Sequence, residues 1–64
     1  MKLNGTIYQL EQPIILLNLL HMHGFETQRI AIELNGNIIP KAAYSQVTII
    51  NDDILEVVSF VGGG

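Results

Sequence analysis

Apolar and polar positions alternate from Met1 to Asn4, break at Asn4-Gly5, and resume as an apolar, β-prone run over Thr6–Leu10. Asn-Gly between two such runs predicts a tight hairpin, because both central residues of a type I′ turn need positive φ. Strands are expected at 1–4 and 6–10. Pro13 then stands near the start of an apolar run that ends at Gly24. Proline in the first turn and glycine just past the last predict a helix over 14–23. Its polar residues, Asn18 and His21, fall nearly on one side. At about 100° per residue, the opposite side carries Leu16, Leu19, Leu20 and His23. The three leucines are the expected core stripe, flanked by Leu17 and Met22, with Ile14 and Ile15 at the start. This helix is more apolar than a one-sided surface helix needs. Tight packing under a small sheet is the plainer explanation; a partner contact through Ile15 or Met22 is the sharper one.

The second half alternates more cleanly. Over Arg29–Asn35, Ile30, Ile32 and Leu34 point one way and Arg29, Ala31 and Glu33 the other. Asn35-Gly36 is a second turn signal, followed by a short strand at Ile38-Ile39. Pro40 stops that strand, since proline cannot donate to a ladder. Lys41–Gln46 reads as a loop or one helical turn, and Val47–Ile50 as a short extended stretch. Asn51-Asp52-Asp53 is a tight turn, and Ile54–Val61 is the last and longest strand. The order is β-β-α-β-(short β)-β, an α+β layout with one mixed sheet and one helix packed on one face. A crossover helix between a hairpin and the remaining strands is the β-grasp, or ubiquitin-like, arrangement. With 64 residues the chain is read as one domain over 1–61, followed by a flexible glycine tail at 62–64.

Composition narrows the chemistry. Hydrophobic residues make up 48% and charged residues 14%, which argues against disorder. The formal net charge is -3, and only Lys2, Arg29 and Lys41 are basic, so the clustered cations of a nucleic-acid groove are missing. The run Ile14–Leu17 is far too short to span a bilayer, and Asn4-Gly5 interrupts anything resembling a signal peptide. A soluble cytoplasmic protein is expected. There is no cysteine, so disulfides, thiolate metal sites and a thiol nucleophile are excluded. His21 and His23 would diverge by about 200° on a helix and could not share a metal. His23, ending the apolar stripe, is expected to be a partly buried edge residue with a backbone partner, and His21 to face solvent. Asp52, Asp53 and Glu56 are read as solvated acids without a desolvated cleft. No nucleophile–base pair or glycine-rich phosphate loop is present. The chain is therefore not expected to be an enzyme on its own, nor to bind a cofactor or a metal.

The last strand and its tail remain. If Glu56 faces water, Leu55 and Val57 point to the core, and Val58 and Phe60 point outward. Exposed Val58 and Phe60 beside a glycine tail suggest a binding face, with Val61 as the last anchored residue. Gly62-Gly63-Gly64 could extend about 10 Å and is thin enough for a narrow channel. The distinctive group at its end is the Gly64 α-carboxylate. It is inert until its oxygen becomes a leaving group, as adenylation by an ATP-using partner would make it. The competing reading is a frayed terminus or an expression remnant.

The segments IAIELNGNIIPKAAY and NDDILEVVSFVGGG resemble the ThiS family, the sulfur carriers of thiamin biosynthesis. The likeness covers essentially the whole chain and is strongest from Ile30 to Gly64. The family's strand and Asn-Gly turn match Ile30–Leu34 and Asn35-Gly36. Its Val-Pro-Arg segment and aromatic match Ile39-Pro40-Lys41 and Tyr44. Its Asp-Gly-Asp turn matches Asn51-Asp52-Asp53, and its glycine terminus Gly62–Gly64. Asn4-Gly5 and Leu19-Leu20 fit as well. The resemblance implies a β-grasp fold. It implies that Gly64 is adenylated by a ThiF-type adenylyltransferase using ATP and converted to a thiocarboxylate. The sulfur would come from cysteine through a desulfurase and pass to thiazole synthase. The chain departs from the family at Asp52, where glycine is usual. Ile54 and Ser59 stand where the family is often basic or polar. Tyr44 commonly reads Trp, and Ile15 replaces a helix-start Thr. These leave the tail chemistry intact and bear on the turn and on partner affinity. Two alternatives share the fold. One is a sibling carrier resembling the small subunit of molybdopterin synthase, or a ubiquitin-like modifier. The other is an interaction module with an inert tail.

Overall fold

A computed structural model describes residues 1–60. The chain opens with a hairpin of β1 (Lys2–Leu3) and β2 (Thr6–Ile7), turning through Asn4 at φ 48° and Gly5 at φ 85°. Both turn residues are left-handed, as a type I′ turn requires. The ladder is shorter than the expected 1–4 and 6–10. One further backbone pair joins Met1 and Tyr8 (2.8 and 2.9 Å), after which Leu10 pairs with the side chain of Asn51 instead.

The helix is also shorter than the predicted 14–23. Ile14–Ile15 form β3, antiparallel to β6 (Thr48–Ile49), and α1 covers Leu16–Met22. Two successive β-branched residues after Pro13 favour extended backbone. The Leu16 N–H donates to the Val47 carbonyl (2.8 Å) and the Leu17 N–H to the Tyr44 carbonyl (2.9 Å). Loop carbonyls thus satisfy donors that a helix start leaves free. At the other end Gly24 has φ 77°, its N–H donates to the His21 carbonyl, and the Phe25 N–H reaches the Leu20 carbonyl. This pair of bonds is the Schellman stop, which favours glycine at the left-handed position.

Single-turn 3-10 segments follow at Thr27–Arg29 and Lys41–Ala43. The remaining strands are β4 (Ile30–Leu34), β5 (Asn37–Ile39) and β7 (Ile54–Ser59). The five-stranded sheet runs β2-β1-β7-β4-β5. β1 and β7 are parallel and the other pairs antiparallel, so the sheet is mixed. Among the described residues the hairpin and β4–β5 are joined in the sheet through β7, which lies at the centre. Leu16, Leu19 and Leu20 are the buried stripe of α1. They share one core with Met1, Leu3, Ile30, Ile32, Tyr44, Ile49, Leu55 and Val57. This is the expected β-grasp arrangement.

His23 corrects one expectation. The helix stops at Met22, so the His23 side chain leaves the stripe and is exposed, with its ring edge-on to Tyr8 at 5.0 Å. Met22 is exposed too, while Ile15 is half-buried in the β3–β6 pair.

Candidate functional site

Alternation along β7 sorts its side chains by face. Leu55 and Val57 are buried; Ile54, Glu56 and Val58 are exposed. Phe60 follows the strand, and its N–H donates to the Arg29 carbonyl at 2.7 Å, which keeps it in the ladder with β4. Val58 is 59% exposed and Phe60 55%, large values for apolar side chains in so small a chain. The parity expected for Leu55, Val57, Val58 and Phe60 is the parity found. Val61, Gly62, Gly63 and Gly64, the other residues assigned to partner binding and sulfur carriage, lie outside the described residues.

The register extends the outward face sideways. Lys2 lies opposite both Ile54 and Ile7; Glu33 lies opposite both Glu56 and Ile38; Ala31 lies opposite Val58. Two depressions mark this surface. One, of about 180 Å³, is lined by Met1, Lys2, Ile7 and residues 51–54. The other, of about 60 Å³, lies among Ala31, Ile32, Glu33, Ile38, Glu56 and Val58. Small-molecule sites run to roughly 300–1,000 Å³, so neither is large enough for one. The outward face suits a protein partner better.

Two asparagine side chains hold β7 in place, and a third ties down the loop at Leu10. The Asn4 amide donates to the Val57 carbonyl (3.1 Å), and the Val57 N–H donates to Asn4 Oδ1 (2.7 Å). The Ile54 N–H donates to Asn35 Oδ1 (2.8 Å), while Asn35 Nδ2 donates to Asp53 Oδ1 (2.9 Å). Asn51 bonds both backbone groups of Leu10 (2.8 Å each). Each primary amide takes the place of a backbone peptide where a ladder would otherwise lapse. In the sequence these three asparagines stand out only as turn-formers.

The acidic turn serves the same end. Asp53 accepts from the Ile50 N–H (2.9 Å) as well as from Asn35. Asp52 is exposed, and the left-handed non-glycine residues among those described are Asn4 and Asn35 alone. The turn therefore carries no left-handed strain at Asp52. His21 is exposed, and among the described residues no group of three or more His, Cys, Asp or Glu could hold a metal. Tyr44 is buried in the core, and that burial pushes its phenol above the usual value of 10.0.

The ordered features of this chain also appear together elsewhere. The sulfur carrier protein ThiS of Bacillus subtilis is 38% identical over 47 residues, which span 73% of this chain and 71% of that protein. A thiazole synthase of Paramagnetospirillum magneticum is 36% identical over 62 residues, 97% of this chain but 19% of that protein. The crystal structure of thiamine biosynthesis protein ThiS from Geobacter metallireducens superposes with a TM-score of 0.80 at 24% identity, covering 98% of this chain and 96% of that one. The ThiS family model matches residues 1–64. With its helix crossing between an Asn-Gly hairpin and a central strand, the chain belongs to the ThiS family.

Proposed function

We propose that this chain is a sulfur carrier for thiazole formation in thiamin biosynthesis, with the Gly64 carboxylate as the reactive group. The observation that carries the reading is the match of the ThiS family along the whole chain, glycine end included. The carboxylate oxygen attacks the α-phosphorus of ATP on a ThiF-type enzyme and displaces pyrophosphate. The terminal sulfur of a persulfide, formed from cysteine by a desulfurase, then attacks the acyl carbon and AMP leaves, and a thiol reduces the acyl disulfide so formed to release the thiocarboxylate. The thiocarboxylate that results delivers sulfur to thiazole synthase. In this reading the protein is a co-substrate and supplies no catalytic group of its own.

Two features support it. The described surface offers exposed apolar side chains for an enzyme to grip, and the two depressions beside them are each too small for a small-molecule substrate. A ThiS-like stretch also occupies about a fifth of proteins named thiazole synthase, which favours a carrier working beside that enzyme. Deletion of the gene tests the reading. Thiamin auxotrophy, rescued by the full chain and not by a chain lacking Gly64, is the expected result. Loss of molybdenum cofactor with thiamin synthesis intact would point to the sibling carrier. Rescue by the truncated chain would point to an inert tail.

A further inference from the structure

Glu33 and Glu56 are Cα partners across the β4–β7 ladder, with both side chains on the open face of the sheet. Directly opposed residues hold their Cβ atoms about 4.5–5.5 Å apart, where like charges destabilise a sheet. The chain has three basic side chains with which to relieve this. Arg29 pairs with Glu26 at 3.3 Å, and the Lys41 ammonium donates to the Gln28 carbonyl at 2.8 Å. Lys2 lies opposite Ile54, diagonal to Glu56, but among the described residues it forms no ion pair with it. Residues 61–64 carry no cationic side chain. The opposed carboxylates are therefore left to solvent, which is adequate only while this face stays wet.

Their neighbours are apolar. Ala31, Ile32, Ile38 and Val58 line the shallow depression in which the two glutamates sit, and Ile38 is 69% exposed. A partner covering Val58 and Ile38 must also cover the pair. Desolvating two like charges is strongly unfavourable unless a cation enters with the partner. A planar guanidinium can bridge two carboxylates. A bare metal ion could neutralise them but would leave the apolar rim in water.

We propose that the open sheet face is the docking surface for the adenylating enzyme, and that the enzyme places an arginine between Glu33 and Glu56 while apolar side chains cover Ile38 and Val58. The enzyme's identity rests on the carrier reading; the chemistry of the occupant rests on charge complementarity. The repulsion in the free protein is the counterpart of that affinity.

The test is the double variant Glu33→Gln with Glu56→Gln. Thermal unfolding is measured alongside binding to a purified ThiF-type enzyme at low and high salt. The expected result is opposite movement. The Tm rises by about 1–4 °C as the repulsion disappears, while affinity falls about tenfold or more at low salt and loses its salt dependence. The charge-matched control, Glu11→Lys at an exposed position outside both depressions, keeps wild-type affinity. Unchanged affinity in the double variant, a lowered Tm, or an equal loss in the control would overturn the proposal. Sulfur loading of the wild-type tail is followed in parallel. Loading with no dependence on Glu33 and Glu56 removes the docking proposal and leaves the carrier reading standing. Glutamate-dependent binding without loading does the reverse.

Discussion

Asn4 and Val57 are 53 positions apart in sequence, yet the side-chain amide of one pairs with both backbone groups of the other. β1 ends at Leu3, one residue before the hairpin turns away. The Asn4 amide carries the ladder one step further along β7, toward the exposed Val58 and Phe60. The same residue supplies a left-handed turn position at φ 48°. Replacing it separates the two roles. Asn4→Gly keeps the turn and loses both side-chain bonds, for about 1–2 kcal/mol of stability. Asn4→Ala loses the bonds and adds the left-handed penalty, about 1 kcal/mol more. Urea unfolding of the two variants beside the wild type checks the ordering; an Asn4→Gly variant as stable as the wild type would show that the amide bonds contribute nothing, and equal stabilities of the two variants would show no left-handed penalty.

Tyr44 sets the alkaline limit. Its phenol is buried, and desolvation raises its folded pKa above the usual 10.0. A group whose folded pKa is raised contributes stability fully below the unfolded value, and that contribution is lost as pH rises through the folded one. Stability is therefore expected to decline above about pH 10. Tyr44→Phe should flatten that decline while keeping the ring in the core. Stability measured against pH from 8 upward would expose the alternative, an unchanged slope in the variant.

Phe60 separates binding from folding. It is exposed, and its anchoring bond to Arg29 runs through the backbone N–H. Phe60→Ala keeps that bond, so the unfolding midpoint should hold. Its complex with the adenylating enzyme should weaken by about 1–2 kcal/mol, the usual loss for an aromatic anchor. Calorimetric titration of the folded variant is decisive; wild-type affinity would show that the enzyme does not grip this side chain.

Patterns that depend on near neighbours were legible in the sequence. The two Asn-Gly turns, the leucine stripe and the alternation of β4 and β7 each follow from steric rules acting over a few residues. Long-range partners were not. Ile14 and Ile15 read as the start of a helix because their strand partner, Thr48–Ile49, lies more than 30 residues away. Nothing local announces that Asn51 holds the backbone of Leu10, since any turn asparagine looks alike. His23 was misplaced because the helix stops a residue short of it. The opposition of Glu33 and Glu56 was within reach. Both outward parities could be written down from the sequence, and only the register between the strands was missing. The exposed Val58 and Phe60 were legible from the position of Glu56 alone.

Sulfur carriage by the C-terminal carboxylate of Gly64 is the step on which the proposed function stands. It is tested most directly by the intact mass of the protein after incubation with ATP, an active ThiF-type enzyme, a cysteine desulfurase and cysteine. The expected result is a gain equal to the exchange of one oxygen for sulfur, localised to the C-terminal peptide and absent when ATP or Gly64 is omitted. An unchanged mass, with the enzyme shown to be active on another carrier, would contradict it.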